Sequence, residues 1–410
     1  MRKFSNFYIV PDLYIFSANY PFGDRDTFPG NEIFYLSKFF HRIFVIPATY
    51  PMGVKERSRT PANVKVLPPF LSENIPVRIF RALFNFSPGG IFIYYFFFNY
   101  IFTSKVKFLR WANDFTCTRT FLSSKQYQFI KRRIKEYDIL YFFWGVDTAS
   151  VIPYIRLKNR IVVRLHGGDA YLPVTDGFLP LRRGIYKRVD RILTVSDALR
   201  KYIIDNYRSE DIIDKTVTSR LGTCYYNTNP AEFYEEIVLV SCSSLIPLKR
   251  IDLIIKCLKQ IDRVKVSWHH FGDGYLMPEL KDQCHGLPEN ISANFHGYIK
   301  NEEVMRFYAE NHVDLFINVS STEGIPVSIM EAMSFGIAVA ATNVGSTNEI
   351  VDNECGFLLS KDFQIHELIH IILTVRKMDF ELKRTLSKKK WNDLFNAENN
   401  AKFLLPFLIA

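Results

Sequence analysis

Two glutamates, Glu323 and Glu331, stand eight positions apart around a glycine and a proline. The largely apolar run Asp314–Val319 before them predicts a buried strand, and Ala332–Gly336 after them predicts a helix that ends at glycine. Pro326 suits the first helical position, where its missing N–H costs nothing. The amides of the first helical turn would then favour a phosphate group. One carboxylate could face a reacting group while the other accepts hydrogen bonds from hydroxyls such as those of a ribose.

The residues around this pair carry a family resemblance. The segments Asn318–Pro326, Met330–Gly336 and Ala338–Gly345 resemble the E-x7-E region of retaining glycosyltransferases of the GT-B architecture, in particular glycosyltransferase family 4. The resemblance implies that Glu323 contacts the transferred sugar and that Glu331 binds the ribose hydroxyls. It also implies donor contacts from the residues that follow the first glutamate, namely Gly324, Ile325, Pro326 and Val327.

A second segment is typical of a phosphate-binding loop. Ser241–Arg250 follows a predicted strand and opens a helix, so Lys249 can reach a diphosphate at the helix start. The segment resembles the phosphate-binding loop of the same family, in which a basic residue often stands five positions before the lysine. Here that position is Ser244. We expect Lys249 to be catalytic, and Ser244 and Arg250 to contact the donor nucleotide sugar.

Glycines also follow the next predicted strand along the chain. Gly272 and Gly274 would let the backbone approach a donor at the strand end. The strand itself contains the adjacent pair His269–His270, and adjacent strand residues point to opposite faces, so we expect these histidines to be structural. The segment around Tyr298 resembles the one that lines the nucleotide base pocket in the family, and Tyr298 is expected to contact the donor.

The N-terminal half supplies a histidine after a predicted strand. The segment Arg164–Tyr171 resembles the His-Gly-x-Asp loop of the family, in which the histidine faces the donor sugar. The resemblance implies a catalytic role for His166. Asp169 and Tyr171 would orient the loop or touch the acceptor.

An early loop is similar to the acceptor-side loop of bacterial surface-polysaccharide enzymes. It covers residues 20–32, and the resemblance implies acceptor contacts from Gly23 and Glu32. The same loop contains Asp24-Arg25-Asp26, an Asp-x-Asp pattern that binds metal in the other large glycosyltransferase architecture. There the motif closes a strand inside the nucleotide-binding domain, whereas here it lies in a loop rich in proline and glycine. We therefore expect no metal site.

Strand-like and helix-like segments alternate along the chain, which predicts two parallel, doubly wound α/β sheets. The predicted strands are residues 9–16, 41–47, 138–143, 160–165, 191–195, 237–242, 265–271 and 314–319, and the predicted helices include residues 31–40, 181–188, 251–261 and 301–310. Tyr225–Pro230 is turn-forming and is taken as a linker. The expected domains are residues 1–225 for the acceptor, 226–385 for the nucleotide sugar, and a tail, 386–410, that crosses back to the first domain.

Length and composition limit the classes of protein to which this chain can belong. At 410 residues the chain is long enough for two or three domains. Its six cysteines are scattered without a C-x-x-C pair, which argues against a disulfide framework and for a reducing compartment. The N-terminal residues do not resemble a secretory signal. The expected location is therefore cytoplasmic.

Charge is distributed unevenly between the two halves. Residues 1–225 hold 34 Lys and Arg against 18 Asp and Glu, whereas residues 226–410 hold 18 against 24. A basic half favours an anionic partner, and we expect it to lie on the inner face of the cytoplasmic membrane. The aromatic run Ile91–Phe102 is too short to span a bilayer, and both a core helix and an interfacial helix remain open for it. The cations proposed to face the lipid are Lys105, Lys107, Arg110, Lys131, Arg132 and Arg133.

Together these features predict a GT-B glycosyltransferase with two Rossmann-like domains facing a central cleft. It would transfer a sugar from a UDP- or GDP-sugar, with retention and without a metal or other cofactor, to a glycan or polyprenyl-linked acceptor in surface polysaccharide synthesis. One alternative is a sugar-nucleotide 2-epimerase of the same architecture. Another is a catalytically silent sugar-nucleotide-binding subunit. No helix-turn-helix or base-stacking motif supports a nucleic-acid partner.

Overall fold

The computed structural model describes residues 3–4, 7–8, 10–22, 27–50, 59–71, 104–172, 177–226, 235–376 and 380–410. Gly23, the Asp24–Asp26 segment, the aromatic run Ile91–Phe102 and most of the expected linker lie outside these residues. The chain divides into two compact units. One comprises Met1–Leu221 with Ala401–Ala410, and the other comprises Gly222–Asn400.

The first unit is built on a parallel sheet of seven described strands in the order β5-β4-β3-β6-β7-β8-β9. A short antiparallel pair, β1 (Lys3–Phe4) and β2 (Phe7–Tyr8), stands apart from it. The sheet strands are β3 (Leu13–Ser17), β4 (Ile43–Pro47), β5 (Val64–Val66), β6 (Ile139–Phe142), β7 (Arg160–Leu165), β8 (Arg191–Thr194) and β9 (Thr216–Thr218). The central strands β3, β4 and β6 are buried along their whole length, as expected for a sheet covered on both faces.

Helices connect these strands in a β-α-β pattern. They are α1 (Thr27–Leu36), α2 (Lys105–Leu122), α3 (Lys125–Arg133), a 3-10 segment (Asp147–Tyr154), α4 (Gly167–Ala170), α5 (Arg182–Arg188), α6 (Asp197–Asn206) and α7 (Glu210–Lys215). The prediction that the first helix begins at Asn31 is wrong by four residues. Pro29 and Gly30 suggested a loop, but proline is tolerated in the first helical turn because its N–H would have no partner there.

The second unit contains a parallel sheet of six described strands in the order β12-β11-β10-β13-β14-β15. They are β10 (Ile237–Cys242), β11 (Val266–Phe271), β12 (Ile291–Gly297), β13 (Leu315–Asn318), β14 (Ala338–Thr342) and β15 (Gly356–Leu359). The intervening helices are a 3-10 turn (Pro247–Lys249), α8 (Ile251–Leu258), α9 (Met277–Gln283), a 3-10 turn (Cys284–Gly286), α10 (Asn301–Glu310), α11 (Val327–Ser334), α12 (Thr347–Ile350) and α13 (Ile365–Thr374).

Two helices end the chain, α14 (Phe380–Leu394) and α15 (Ala397–Ile409). Trp391 is fully buried on α14 and its Nε1–H donates to the hydroxyl of Thr223 at 2.7 Å, which joins the two ends of the second unit. The guanidinium of Arg160 on β7 donates to the carbonyl of Phe407 at 3.0 and 3.3 Å within the first unit. No helix in the described part of the chain is long and apolar enough to cross a membrane.

The strand order reverses once within each sheet. In the first unit β3 is followed in sequence by β4 on one side, whereas β6 lies on its other side; in the second unit β11 and β13 flank β10 in the same way. Two loops therefore diverge at the carboxyl edge of each sheet. They follow β3 and β6 in the first unit, and β10 and β13 in the second. Such a point is where open α/β sheets bind ligands.

A buried ion pair fixes β13 beside β10 at this position. The carboxylate of Asp314, which has no exposed surface, accepts the backbone N–H of Val238 at 2.8 Å. It also accepts two hydrogen bonds from Arg376, each 2.7 Å long. These donors and nearby His312 offset the cost of burial and hold the pKa of Asp314 below its usual value. This contact ties β13 to β10 on the far side of the strand from the loop that carries Glu323.

Candidate active site

Lys249 and Glu323 meet where the strand order of the second unit reverses. Lys249 ends the 3-10 turn after β10, and Glu323 lies in the loop after β13. The Lys249 Nζ lies 2.6 Å from Glu323 Oε1, and the same oxygen accepts from Asn318 Nδ2 at 3.2 Å. Both side chains are mostly buried but retain some exposure, 23% for Lys249 and 11% for Glu323. The sequence places these residues 74 positions apart, and the sheet places a cation and a carboxylate in direct contact.

The backbone that carries Glu323 is held by the loop after β14. Gly345 adopts a left-handed conformation with φ of 57°, and a Cβ there would overlap the carbonyl oxygen of Glu323. The next residue, Ser346, donates its N–H to the carbonyl of Gly324 at 3.2 Å. Only glycine permits this approach. Gly345 is a site-positioning residue that sequence reasoning did not assign, although its place just after a buried strand was an available signal.

The helix after Glu323 begins one residue later than expected. Pro326 is the residue before α11, with an extended ψ of 104°, and the first helical residue is Val327. The prediction of Pro326 at the first helical position is therefore wrong by one residue. The amides at the start of α11, beginning with Val327 and Ser328, have no intrahelical acceptor, and the helix dipole adds partial positive charge there. Gly324 and Ile325 lead directly into this turn.

Glu331 lies inside α11 and is only 8% exposed. Its Oε1 accepts a hydrogen bond from Asn301 Nδ2, the first residue of α10, at 2.8 Å. Burial raises the pKa of Glu331 to about 7, against an ordinary value of 4.5. The carboxyl therefore titrates around neutral pH. Further hydrogen-bond donors, such as ligand hydroxyls, would stabilise its anionic form. Asn301 is a second site residue that sequence reasoning missed.

Arg250 holds the site's loops to one another. Its backbone is left-handed, with φ of 49° and ψ of 40°. The guanidinium donates to the carbonyls of Val319 at 2.6 Å, Ser320 at 3.3 Å and Lys361 at 2.8 Å. These contacts fix the start of the Glu323 loop, and the donor contact expected of Arg250 stays a prediction. Ser244 is exposed on the neighbouring loop.

A buried chain of hydrogen bonds supports the phosphate-side loop from beneath. Trp268 Nε1–H donates to Ser241 Oγ at 3.0 Å, and Ser241 Oγ lies 2.8 Å from His270 Nδ1. His270 Nε2 lies 3.1 Å from the carbonyl of Ser243. If the serine donates to Nδ1, Nε2–H is left to donate to that carbonyl, as in a neutral imidazole. Burial lowers the pKa of His270 to about 4, which keeps the ring neutral.

The two glycines after β11 allow the phosphate-side loop to pack closely against them. A Cβ on Gly272, whose φ is 138°, would overlap the carbonyl of Ser243, and a Cβ on Gly274 would overlap that of Leu245. They let two chain segments of the second unit pack closely, and the approach to a donor expected of these glycines stays a prediction. Tyr298 follows β12 and is 52% exposed.

In the first unit, His166 follows β7 at the carboxyl edge of the sheet. Its ring packs on Trp144 with 4.0 Å between ring centroids, and only 5% of the residue is exposed. Neither ring nitrogen has a hydrogen-bond partner among the described residues. Buried polar atoms of this kind are expected to bind something. His166 therefore has hydrogen-bonding capacity for a ligand, with Asp169 Oδ2 lying 3.7 Å from its Nδ1.

Asp169 anchors the His166 loop. It is 1% exposed, and its carboxylate accepts the N–H of His166 at 2.5 Å and the N–H of Gly145 at 2.7 Å. Arg182 completes the clamp by donating to the carbonyls of Gly145 and Asp169. Tyr171 packs edge-on against Tyr202, with 4.7 Å between ring centroids. Of the two roles expected for Asp169, the geometry supports orientation of the loop.

Glu32 is engaged by the first unit's own interior. Its Oε1 accepts from the hydroxyl of Tyr141 at 2.7 Å, and its Oε2 from Arg164 Nη2 at 2.6 Å. Arg164 is fully buried and also donates to the carbonyl of Ser219 at 2.5 Å. Each carboxylate oxygen of Glu32 accepts a hydrogen bond from within the fold, which holds α1 against the sheet, and the acceptor contact expected of Glu32 stays a prediction. Its partners lie more than 100 residues away in the sequence, so a comparison of local motifs does not reveal them.

The described residues contain no cluster of three or more His, Cys, Asp or Glu side chains arranged to hold a metal ion. All six cysteines are free, and the burial of Cys242 raises its pKa to about 12, which keeps that thiol protonated. What the second unit does present is a lysine, a helix N-terminus and two carboxylates at one sheet edge. That set can bind an anionic diphosphate and the hydroxyls attached to it.

Comparison with known proteins supports the same interpretation. Residues 236–376 carry a domain that matches the family described as "Glycosyl transferases group 1". Over 229 residues the chain is 23% identical to a poly(ribitol-phosphate) alpha-N-acetylglucosaminyltransferase of Staphylococcus aureus. The aligned region covers 51% of this chain and 44% of that protein. The chain spans about half the length of the curated relatives it matches.

Several solved structures match nearly the whole chain, among them the following two. Anabaena HepE, in complex with UDP and glucose, is 17% identical, with a TM-score of 0.63 over 97% of this chain and 99% of its own. Sucrose-phosphate synthase from Thermosynechococcus elongatus is 13% identical, with a TM-score of 0.68 over 97% and 98%. At these identities the matches establish the fold. The prediction of two Rossmann-like α/β domains of the GT-B class is confirmed.

Proposed function

We propose that this protein transfers a sugar from a nucleotide-diphosphate sugar to a glycan or lipid-linked glycan, with retention of the anomeric configuration. The observation that carries the proposal is the 2.6 Å contact between Lys249 and Glu323, with Glu331 buried in the following helix. This trio lies where open α/β sheets bind ligands. The family match of residues 236–376 covers all three side chains.

The diphosphate would lie between Lys249 and the first turn of α11. Breaking the bond to the sugar leaves additional negative charge on the nucleoside diphosphate, and fixed positive charge aimed at it lowers the barrier. An ammonium group has three donors, so Lys249 can bind a phosphate oxygen while it keeps its contact with Glu323. We propose that this charge suffices without a metal ion.

The two glutamates would contact different parts of the donor. Glu331, with Asn301 beside it, would accept hydrogen bonds from the ribose hydroxyls. Glu323, held by Lys249 and Asn318, would accept hydrogen bonds from the transferred sugar. Because Lys249 touches both Glu323 and the expected phosphate position, it would fix the sugar relative to its leaving group.

The nucleotide and sugar are proposed from the relatives' own ligands. HepE is solved with UDP and glucose, and the Staphylococcus aureus relative is an N-acetylglucosaminyltransferase by name. UDP-glucose and UDP-N-acetylglucosamine are therefore the first donors to test, with GDP-sugars next. Tyr298 would stack on the base, since it is half-exposed and follows Gly297, whose carbonyl accepts the N–H of Gly272. His166 would contact the reacting sugar with its unpartnered ring nitrogens.

The acceptor is proposed to be a cell-surface glycan presented at the inner face of the cytoplasmic membrane. The Staphylococcus aureus relative acts on poly(ribitol-phosphate) by name. On this chain Lys105 and Phe108 are exposed on α2, and Lys131, Arg132 and Arg133 are exposed in the last turn of α3. Cations beside an exposed aromatic ring suit an anionic lipid surface, at about 1 kcal/mol for each surface-proximal cation.

Donor binding and turnover in two alanine variants test this proposal. Glu331→Ala should weaken UDP binding measured by calorimetry by about 1.5–3 kcal/mol, the value of a hydrogen bond to a charged group. Glu323→Ala should leave UDP binding nearly intact and reduce transfer from the UDP-sugar. Equal loss of UDP affinity in both variants would refute the division of roles, and absence of nucleotide binding by the unmodified protein would refute the function.

A further inference from the structure

A cavity of about 370 Å³ lies in the first unit, between the N-terminal half of α2, the segment after β6 and the start of α5. Its size falls within the range of small-ligand pockets, roughly 300–1,000 Å³. Its polar lining consists of Arg110, Asn113, Asp114, Asp147 and Arg182, and apolar side chains form the rest of the wall. Neither the donor site nor the His166 ring is part of this lining.

Two guanidinium groups in the lining have unused donors. The Nε–H groups of Arg110 and Arg182 are buried and have no acceptor among the described residues. Arg182 is 3% exposed, and its terminal nitrogens donate to backbone carbonyls rather than to a carboxylate. A buried donor without an acceptor is costly, and a ligand oxygen would satisfy it.

The carboxyl groups do not cancel this positive charge. Asp114 is 7% exposed, and burial, reinforced by nearby Asp147, holds the pKa of its carboxyl well above the usual range, which favours the protonated form. Asp147 accepts from Asn113 Nδ2 at 2.5 Å and has a left-handed backbone with φ of 53°. Two guanidinium groups and two carboxyl groups line the cavity, and burial disfavours the charged form of one of these carboxyls. The cavity favours an anion and also presents an amide and carboxyls, which pair with hydroxyls.

We propose that this cavity binds a sugar unit that carries one carboxylate or phosphate group. Arginine recognises either group through paired N–H donors, the Asp and Asn side chains suit hydroxyls, and the apolar wall suits a sugar ring face. The inference rests on the proposed function, in which the bound unit belongs to the acceptor. It places that unit beside the His166 loop, because Arg182 lines the cavity and also donates to the carbonyls of Gly145 and Asp169.

Binding of three small sugars to the full chain tests the inference. The probes are glucuronate, glucose 1-phosphate and uncharged glucose, each titrated in calorimetry or ligand-observed NMR. At least one charged sugar should bind about tenfold or more tightly than glucose, the factor expected for one hydrogen bond to a charged group. A preference for glucuronate identifies an acidic glycan residue, and a preference for glucose 1-phosphate identifies a sugar phosphate.

Arg110 is the variant of choice because it is partly exposed and clamps no backbone. Arg110→Gln should abolish the preference for charged sugar, Arg110→Lys should retain part of it, and Arg208→Gln, which removes an exposed arginine elsewhere in the same unit, should leave it unchanged. UDP titrated into the same samples should bind all of them alike, which separates this cavity from the donor site. The inference is overturned if no sugar binds, if glucose binds as well as the charged sugars, or if Arg110→Gln keeps the preference.

Discussion

Replacing the buried Glu331 with glutamine should make the ligand-free protein more stable at high pH and not at low pH. Its pKa is about 7 in the folded protein against an ordinary 4.5. Below pH 4.5 the carboxyl is protonated in both the folded and the unfolded chain, so it contributes no pH dependence. Between pH 4.5 and 7 the unfolded chain loses its proton first, and the folded state loses stability as pH rises. Above pH 7 the loss is complete.

The size of this effect follows from the difference between the two pKa values. At 1.36 kcal/mol for each pKa unit, the charged carboxylate costs the folded state about 3 kcal/mol above pH 7. Glutamine keeps the acceptor for Asn301 and cannot ionise. We expect Glu331→Gln to gain about 2–3 kcal/mol relative to the unmodified protein when the pH rises from 5 to 8. Urea unfolding at the two pH values measures it, and Glu310→Gln, an exposed glutamate on α10, is the matched control.

The same variant should lose the pH dependence of nucleotide binding. If the ionised carboxylate accepts the ribose hydroxyls, the competent fraction falls from about 0.9 at pH 8 to about 0.1 at pH 6, so affinity falls about tenfold. Calorimetry with UDP on both proteins at each pH removes the titration of the nucleotide itself. His269 and His270, with pKa values of about 4, do not titrate in this window. Parallel pH profiles for the two proteins, or equal stability differences at pH 5 and 8, would refute the reasoning.

Three further outcomes are expected. Gly345→Ala should lower transfer at least about tenfold, because a Cβ at this position, with φ of 57°, would overlap the Glu323 carbonyl. Gly286→Ala introduces only ordinary contacts and should leave transfer unchanged. Equal activity of the two variants would contradict this prediction. Transfer should persist in excess EDTA, and a saturable requirement for Mn²⁺ or Mg²⁺ would show that Lys249 and the helix N-terminus do not suffice. In flotation assays the protein should rise with anionic liposomes at low salt and be partly released at high salt. It should bind less when Lys131, Arg132 and Arg133 are changed to Ser. If the protein does not bind anionic liposomes at low salt, the proposed membrane-binding surface is wrong.

The sequence by itself determined the chemistry available and the class of fold. Alternating strand-like and helix-like segments are local patterns, and they predicted two parallel sheets because each element must bury its apolar side against another. The order of strand, loop and helix around Glu323 and Glu331 was also local, so it was predicted to within about one residue. Lys249 was found for the same reason, as a lysine that follows a strand and opens a helix.

Only the tertiary structure decided which polar side chains are still available to a ligand. Arg250 and Glu32 have the residue types of ligand contacts, but the fold directs the first to three backbone carbonyls and the second to Arg164 and Tyr141. Glu331 resembles a surface glutamate in sequence, and its raised pKa comes from burial by neighbours brought in from other elements. Partners separated by about 30 to 130 residues leave no periodicity in the chain. Their contacts exist only after the sheets have set the register, because hydrogen bonds and desolvation depend on distance in space and not on separation in sequence.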